Sequence, residues 1–95
     1  MTITKQVIFV AKEENIEELK ALLITMIDAS REEDGCLFYY IHQMSEKPTT
    51  FVVLESWEND EALEGHKHSA HYLHYKENFE QYTAEKYSNE LADLV

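Results

Sequence analysis

The stretch from Leu63 to Tyr75, L-E-G-H-K-H-S-A-H-Y-L-H-Y, places His66, His68, His71 and His74 within nine residues, four of the chain's five histidines. Imidazoles at this spacing can ligate a metal, take a proton near neutral pH, or sit as solvated polar groups on a helix. Chelation would need i, i+3 or i, i+4 pairs on one continuous helix, and no further recognisable ligand set accompanies them, so no metal is expected. Helical geometry separates the four. On a short helix from Asp60 to about His66, Ala62, Leu63 and His66 share one face, which turns His66 inward. On a following helix capped by Ser69, His71 borders a stripe of Tyr72, Tyr75, Phe79 and Tyr82, whereas His74 falls on the solvated side. His68 lies in the connection, where its direction is open. Two readings stand side by side. His66 is a hydrogen-bonded core residue with the other histidines on the surface, or His66 and His71 flank a cavity beside Trp57 and the tyrosines and take a proton from a bound hydroxyl group.

Glu55 lies two residues before Trp57 and shares its strand face with Phe51 and Val53. A carboxylate on an apolar face needs a partner, either a histidine or tyrosine that it orients, or a lysine or edge backbone donor. The aromatic stripe is itself ambiguous, since rings at helical spacing make cores as well as pocket walls. No glycine-rich phosphate loop, G-x-S-x-G elbow or dinucleotide fingerprint is present, so nucleotide cofactors are not expected. Cys36 is the only cysteine; it forms no intrachain disulfide and reads as a buried, unreactive thiol.

These residues must be positioned by a short chain. Ile3 to Val10 is β-branched and apolar, as a strand requires. From Ile16, the apolar residues Leu19, Leu22, Leu23, Met26 and Ile27 follow a helical period, with Asn15 as cap and Glu18 as its capping-box partner. That helix should end before Gly35, which can take the left-handed conformation that opens a turn. Cys36 to Met44 and Thr50 to Glu58 read as a hairpin, with the chain's only proline in its turn. Asn59 caps the short helix, Ser69 the next, and Glu85 to Leu91 reads as a last strand. Strand, helix, strand, strand, helix, strand is the split βαβ order of a ferredoxin-like α+β domain, an antiparallel sheet with helices on one face, and it occupies residues 1–95 as one domain.

Both faces of the hairpin strands are apolar. Phe51, Val53 and Trp57 oppose Val52 and Leu54, while Leu37, Tyr39 and Ile41 oppose Phe38 and Tyr40. A sheet with one wet face should alternate apolar and polar residues, so a second cover is implied that the chain does not itself supply. A homodimer packed sheet to sheet is therefore expected. With 19 acidic against 8 basic side chains and a net charge of −11, the molecule repels nucleic acid and anionic membranes. The first ten residues lack the layout of a signal peptide and no run reaches membrane-spanning length, which suggests a cytoplasmic protein.

The run F-V-V-L-E-S-W-E-N-D-E-A-L-E-G-H-K-H-S-A-H-Y resembles the antibiotic biosynthesis monooxygenase family through Glu55, Trp57, Ala62, Leu63, His66, Ser69 and His71. Upstream, G-C-L-F-Y (Gly35 to Tyr39) is similar to that family's Gly and Tyr after the first helix. The resemblance spans roughly residues 2 to 91. It implies a dimeric α+β barrel and, for the quinol monooxygenase members, oxidation of small aromatic hydroxyl compounds by O2 without metal, flavin or haem. On that basis His66 and His71 are expected to be catalytic, with Trp57, Tyr39, Glu55, Tyr72 and Tyr75 against the substrate. The family's haem-degrading branch uses Asn, Trp and His where this chain has Gln6 or a neighbour, His66 and about Lys76, so haem degradation is not implied. A second relative, an isomerase of a phosphorylated hydroxyketone, shares a similar run in His66, Lys67, His71 and Tyr72, although Arg31 is the only arginine here. A dimeric binding module without catalysis is the third expectation.

Overall fold

Strand β1 (Ile3–Ala11) buries Ile3, Val7, Phe9 and Ala11 on one face and turns Thr4, Gln6, Ile8 and Val10 to the other, the period of two its sequence predicts. In the computed structural model, which describes residues 1–94, β1 is followed by helices α1 (Ile16–Ile24) and α2 (Ile27–Arg31), the hairpin β2 (Cys36–Gln43) and β3 (Thr50–Trp57), helices α3 (Asp60–Lys67) and α4 (Ala70–Asn78), and β4 (Thr83–Leu91). The sheet order is β2-β3-β1-β4, antiparallel at every pairing. This is the expected ferredoxin-like α+β arrangement, with each helical layer broken into two pieces. No helix among the described residues is long and apolar enough to cross a membrane.

The first break follows Ile24, where the Thr25 hydroxyl donates to the Leu22 carbonyl at 2.6 Å. That back-bond offers the carbonyl an alternative to the helical ladder and bends the chain. Leu19, Leu22, Leu23 and Met26 are buried on both sides of the break, so the apolar stripe outlasts the regular helix. The capping box expected at Asn15 does not form. The chain enters α1 through a 3-10 turn (Glu13–Asn15), and Asn15, at φ −124° and ψ 21°, is not extended as a capping residue must be. Its amide instead donates to Glu18 Oε2 at 3.4 Å. The other two expected caps are made: Asn59 Oδ1 accepts from the Ala62 N–H, and Ser69 Oγ from the Tyr72 N–H.

Leu37 departs from the expected pattern. The register of β2 on β3 shifts between Cys36 and Phe38, so that Cys36 faces Trp57 and Phe38 faces Ser56. A bulge adds one residue without a partner, and Leu37, grouped by simple alternation with Tyr39 and Ile41, is instead 52% exposed. Beyond the bulge the alternation resumes. Tyr39 is buried on the helix side, and Phe38 and Tyr40 point to the opposite face. That opposite face carries Ile8, Val10, Tyr40, Val52, Leu54 and Tyr87, none of them buried. Both faces are apolar and only one is covered by helices.

Candidate active site

Gly35 decides how closely the second helical layer can approach the hairpin. Its φ is +82°, and a Cβ built on it would lie 2.5 Å from the Ala62 Cβ of α3. The Gly35 carbonyl also accepts from the Glu58 N–H at 2.8 Å, fixing the turn to the end of β3. With that turn held, Glu33 is brought against the end of α3, whose inward face presents Ala62, Leu63 and His66.

His66 is 2% exposed. Its Nδ1 lies 2.7 Å from Glu33 Oε2, and the same oxygen lies 2.7 Å from His71 Nε2. A carboxylate only accepts, so both ring nitrogens donate to it. This leaves His66 Nε2 as the acceptor nitrogen. It has no hydrogen-bond partner among the described residues and is not among the sealed polar atoms that lack one. Ser69 completes the cluster. Its hydroxyl donates to the His66 carbonyl at 2.7 Å, and its oxygen stands 3.1 Å from His71 Nε2, whose N–H it shares with Glu33. Hydrogen bonds of imidazole N–H groups to an ionised carboxylate are each worth about 1.5–3 kcal/mol. Glu33 thus fixes the orientation of both rings.

Trp57 packs on the other side of His66, ring centroids 4.4 Å apart. Its indole N–H donates to Glu55 Oε1 at 2.7 Å, so the buried carboxylate finds its partner two residues along its own strand face rather than in a histidine, tyrosine or lysine. Tyr72 and Tyr39 stand 5.0 and 5.9 Å from the His66 ring.

A cavity of about 70 Å³ lies between α3, α4 and the sheet, lined among others by Tyr39, Glu55, Leu63, His66, Tyr72 and Tyr75. Of the residues expected at the site, His66, Tyr39, Glu55, Tyr72 and Tyr75 line it. Trp57 and His71 do not. Trp57 is fully buried behind His66, and His71 lies across Glu33, its Nε2 already engaged. His68 and His74 are exposed. Glu33 went unseen in the sequence because it is 33 and 38 residues from its two histidines, and no periodicity links a loop residue to a distant helix face.

The charge states of the wall follow from its burial. The phenols of Tyr39 and Tyr75 are pushed well above the usual range by burial first, with the Glu55 carboxylate adding to it, and Tyr72 is raised for the same two reasons. These rings are neutral walls and hydrogen-bond donors. Burial and the neighbouring Glu33 and Glu55 likewise push the Cys36 thiol up, against a thiolate. A phenol raised by folding contributes its full stability below the unfolded value of about 10 and loses it as pH rises above that. Denaturation midpoints should therefore fall from about pH 10 upward, with the Tyr39 and Tyr75 phenolate absorbance appearing only on unfolding. Ionisation of all tyrosines in the folded protein near the ordinary value would contradict this burial.

Glu33 Oε2, His66 Nδ1 and His71 Nε2 all lie within 4.8 Å of one another. Nitrogen and carboxylate donors of this kind can hold zinc, although a metal would have to displace both protons now shared with Glu33.

A buried imidazole backed by a carboxylate thus opens on a small aromatic cavity above a ferredoxin-like α+β sheet. The family model for antibiotic biosynthesis monooxygenases matches residues 2–78, and the chain belongs to that family. It is similar to "Putative monooxygenase Rv0793" of Mycobacterium tuberculosis, 38% identical over 58 residues, which cover 61% of this chain and 56% of that protein. The matched stretch thus spans little more than half the length of that relative. Among solved structures, PA3566 from Pseudomonas aeruginosa superposes with a TM-score of 0.95 at 29% identity, covering 99% of this chain and 95% of that one. Rv0793 superposes with a TM-score of 0.93 at 27% identity, covering 100% and 97%.

Proposed function

We propose that the chain is a cofactor-independent monooxygenase that oxidises small aromatic hydroxyl compounds, quinols among them, with O2. The observation that carries this reading is His66, held through Nδ1 by Glu33 with its other nitrogen free, at the wall of an aromatic cavity. His66 Nε2 takes the phenolic proton of the bound ring. The electron-rich phenolate passes one electron to O2, and the resulting pair combines at a ring carbon to form a hydroperoxide. The proton of that hydroperoxide is the one His66 returns; His66 then removes the hydrogen of the same ring carbon as a proton while the O–O bond breaks, and the departing hydroxide takes it up as water, leaving a second carbonyl. A quinol and O2 thus become a hydroxyquinone and water with no external reductant. Tyr39, Tyr72 and Tyr75 shield from water the part of the ring that reaches His66, and His71 acts through Glu33 as a positioning residue, as Trp57, held by Glu55, acts from behind the His66 ring.

The test is oxygen uptake with candidate quinols in metal-free buffer. Uptake above the uncatalysed rate, undiminished by chelator, is expected. Uptake that needs a metal, or none at all, removes the reading. Oxygen-independent conversion of a phosphorylated hydroxyketone would transfer the site to an isomerase.

The reading includes a homodimer closed through the uncovered sheet face. Ile8, Val52 and Leu54 lie near its centre, and each apolar side chain removed from water there contributes about 1.5–3 kcal/mol. Sedimentation should show two chains for the native protein and one for Ile8→Lys. A native monomer across the accessible concentration range would refute it.

A further inference from the structure

In a chain with 8 basic against 19 acidic side chains, Lys5, Lys67 and Lys86 line the one small cavity that His66 also lines, with Glu55 the acidic residue among its walls. Such a concentration of positive charge runs against the composition of the whole molecule. Neither Lys5 nor Lys86 forms an ion pair among the described residues, and Lys67 reaches only Glu64, at 3.9 Å. Lys5 faces Glu55 and Glu90 across the strand pairs, yet lies within 4.0 Å of neither carboxylate. The Lys86 ammonium rests instead on aromatic faces, 4.8 Å from the Phe79 centroid and 5.5 Å from those of Phe9 and Tyr75. A cation on such a platform is attracted by the rings but is not neutralised by them. Its pKa is lowered, by burial first and by Lys76 and Lys5 next, against the opposing pull of Glu55 and Glu80. An arriving anion would relieve that cost.

The position of Lys86 supplies a direction. It sits on β4, an edge strand of the sheet, and from its perch on Tyr75 the rings of Tyr75, Tyr72 and His66 follow one another with centroids 5.3 and 5.0 Å apart. At about 70 Å³ the cavity is roughly half the volume that holds a benzene ring, about 150 Å³. A ring that enters far enough to reach His66 therefore leaves its far substituent at the lysines.

We propose that the ligand of this site is a small aromatic hydroxyl compound bearing a carboxylate, received at the cavity mouth by Lys86 with Lys5 as second cation. The inference rests on the site assigned above and names its substrate class. An aromatic phosphate offers the same charge and is separated by the test.

Calorimetric titration at low salt compares hydroquinone with a dihydroxybenzoate, with phenyl phosphate and with inorganic phosphate, on the native protein and on Lys86→Met, which keeps the apolar stem over the rings. The dihydroxybenzoate is expected to bind about tenfold tighter than hydroquinone, with most of that margin lost in Lys86→Met. Phenyl phosphate binding more tightly than the dihydroxybenzoate would replace the carboxylate by a phosphate and overturn the stated class. Equal affinities, a margin that survives Lys86→Met, or no binding by any compound overturns the proposal. Oxygen uptake on hydroquinone without a carboxylate advantage would leave the monooxygenase reading standing and remove this one. Lysine-dependent carboxylate binding without oxygen uptake would do the reverse.

Discussion

His66→Gln is expected to lower oxygen-dependent turnover by about two to four orders of magnitude, the usual contribution of a positioned general base, while the protein stays folded. Glutamine is close to histidine in size and fills most of the buried space, its amide falling near the position of Nε2. What it cannot do is accept and release a proton. Because the base acts only as the phenolic bond breaks, kcat and kcat/KM should fall together with KM little changed. Glu33→Gln should cost less and act differently. The imidazoles remain, but neither is held by a carboxylate, so the loss should be partly recovered in Glu33→Asp, a rescue that a purely structural role would not produce. A His66→Gln protein that retained native turnover would end the assignment of His66 as base, whatever the behaviour of the other variants.

The largest expected effect on stability belongs to Gly35→Ala. Left-handed backbone at a residue with a side chain costs about 1–3 kcal/mol, and forcing a methyl into packed space costs a further 1–3 kcal/mol or so. Both apply here, since φ is +82° and the new Cβ would meet the Ala62 Cβ at 2.5 Å. A loss of about 3 kcal/mol follows, which for a domain of this size lowers the melting temperature by roughly 12–24 °C. The two causes can be separated by adding Ala62→Gly, which removes the struck methyl but not the backbone strain. The double variant should recover part of the loss as a coupling between neighbours. An unchanged melting temperature in Gly35→Ala would mean that α3 is free to move off the hairpin, and that Glu33 is not held on His66 by this turn. The same substitution should depress turnover out of proportion to the remaining folded fraction, because Glu33 lies two residues before the glycine.

The order of strands and helices was legible from periodicity, as were two helix caps. So was the inward direction of His66, because the face a residue occupies is set by its offset from Ala62 and Leu63 on the same helix. The departures share one origin. Asn15 fails to cap because a preceding turn alters its backbone, and Leu37 leaves its face because one extra residue enters the pairing of β2 with β3. In both places a neighbouring segment overrides the local pattern.

What the sequence determined by itself was therefore whatever depends on residues a few positions apart: the split βαβ order, the apolar character of both sheet faces, and which side of its helix His66 must take. The tertiary structure alone decided that Glu33 holds both imidazoles, that Trp57 and His71 lie outside the cavity lining, and that Lys5 and Lys86 join it. Hydrophobic periodicity fixes which face of an element turns inward, but it carries no information about which residue of a distant element will lie opposite. That is set by strand register and by how closely the layers dock, and here the docking of α3 on the hairpin depends on a glycine with no side chain to obstruct it.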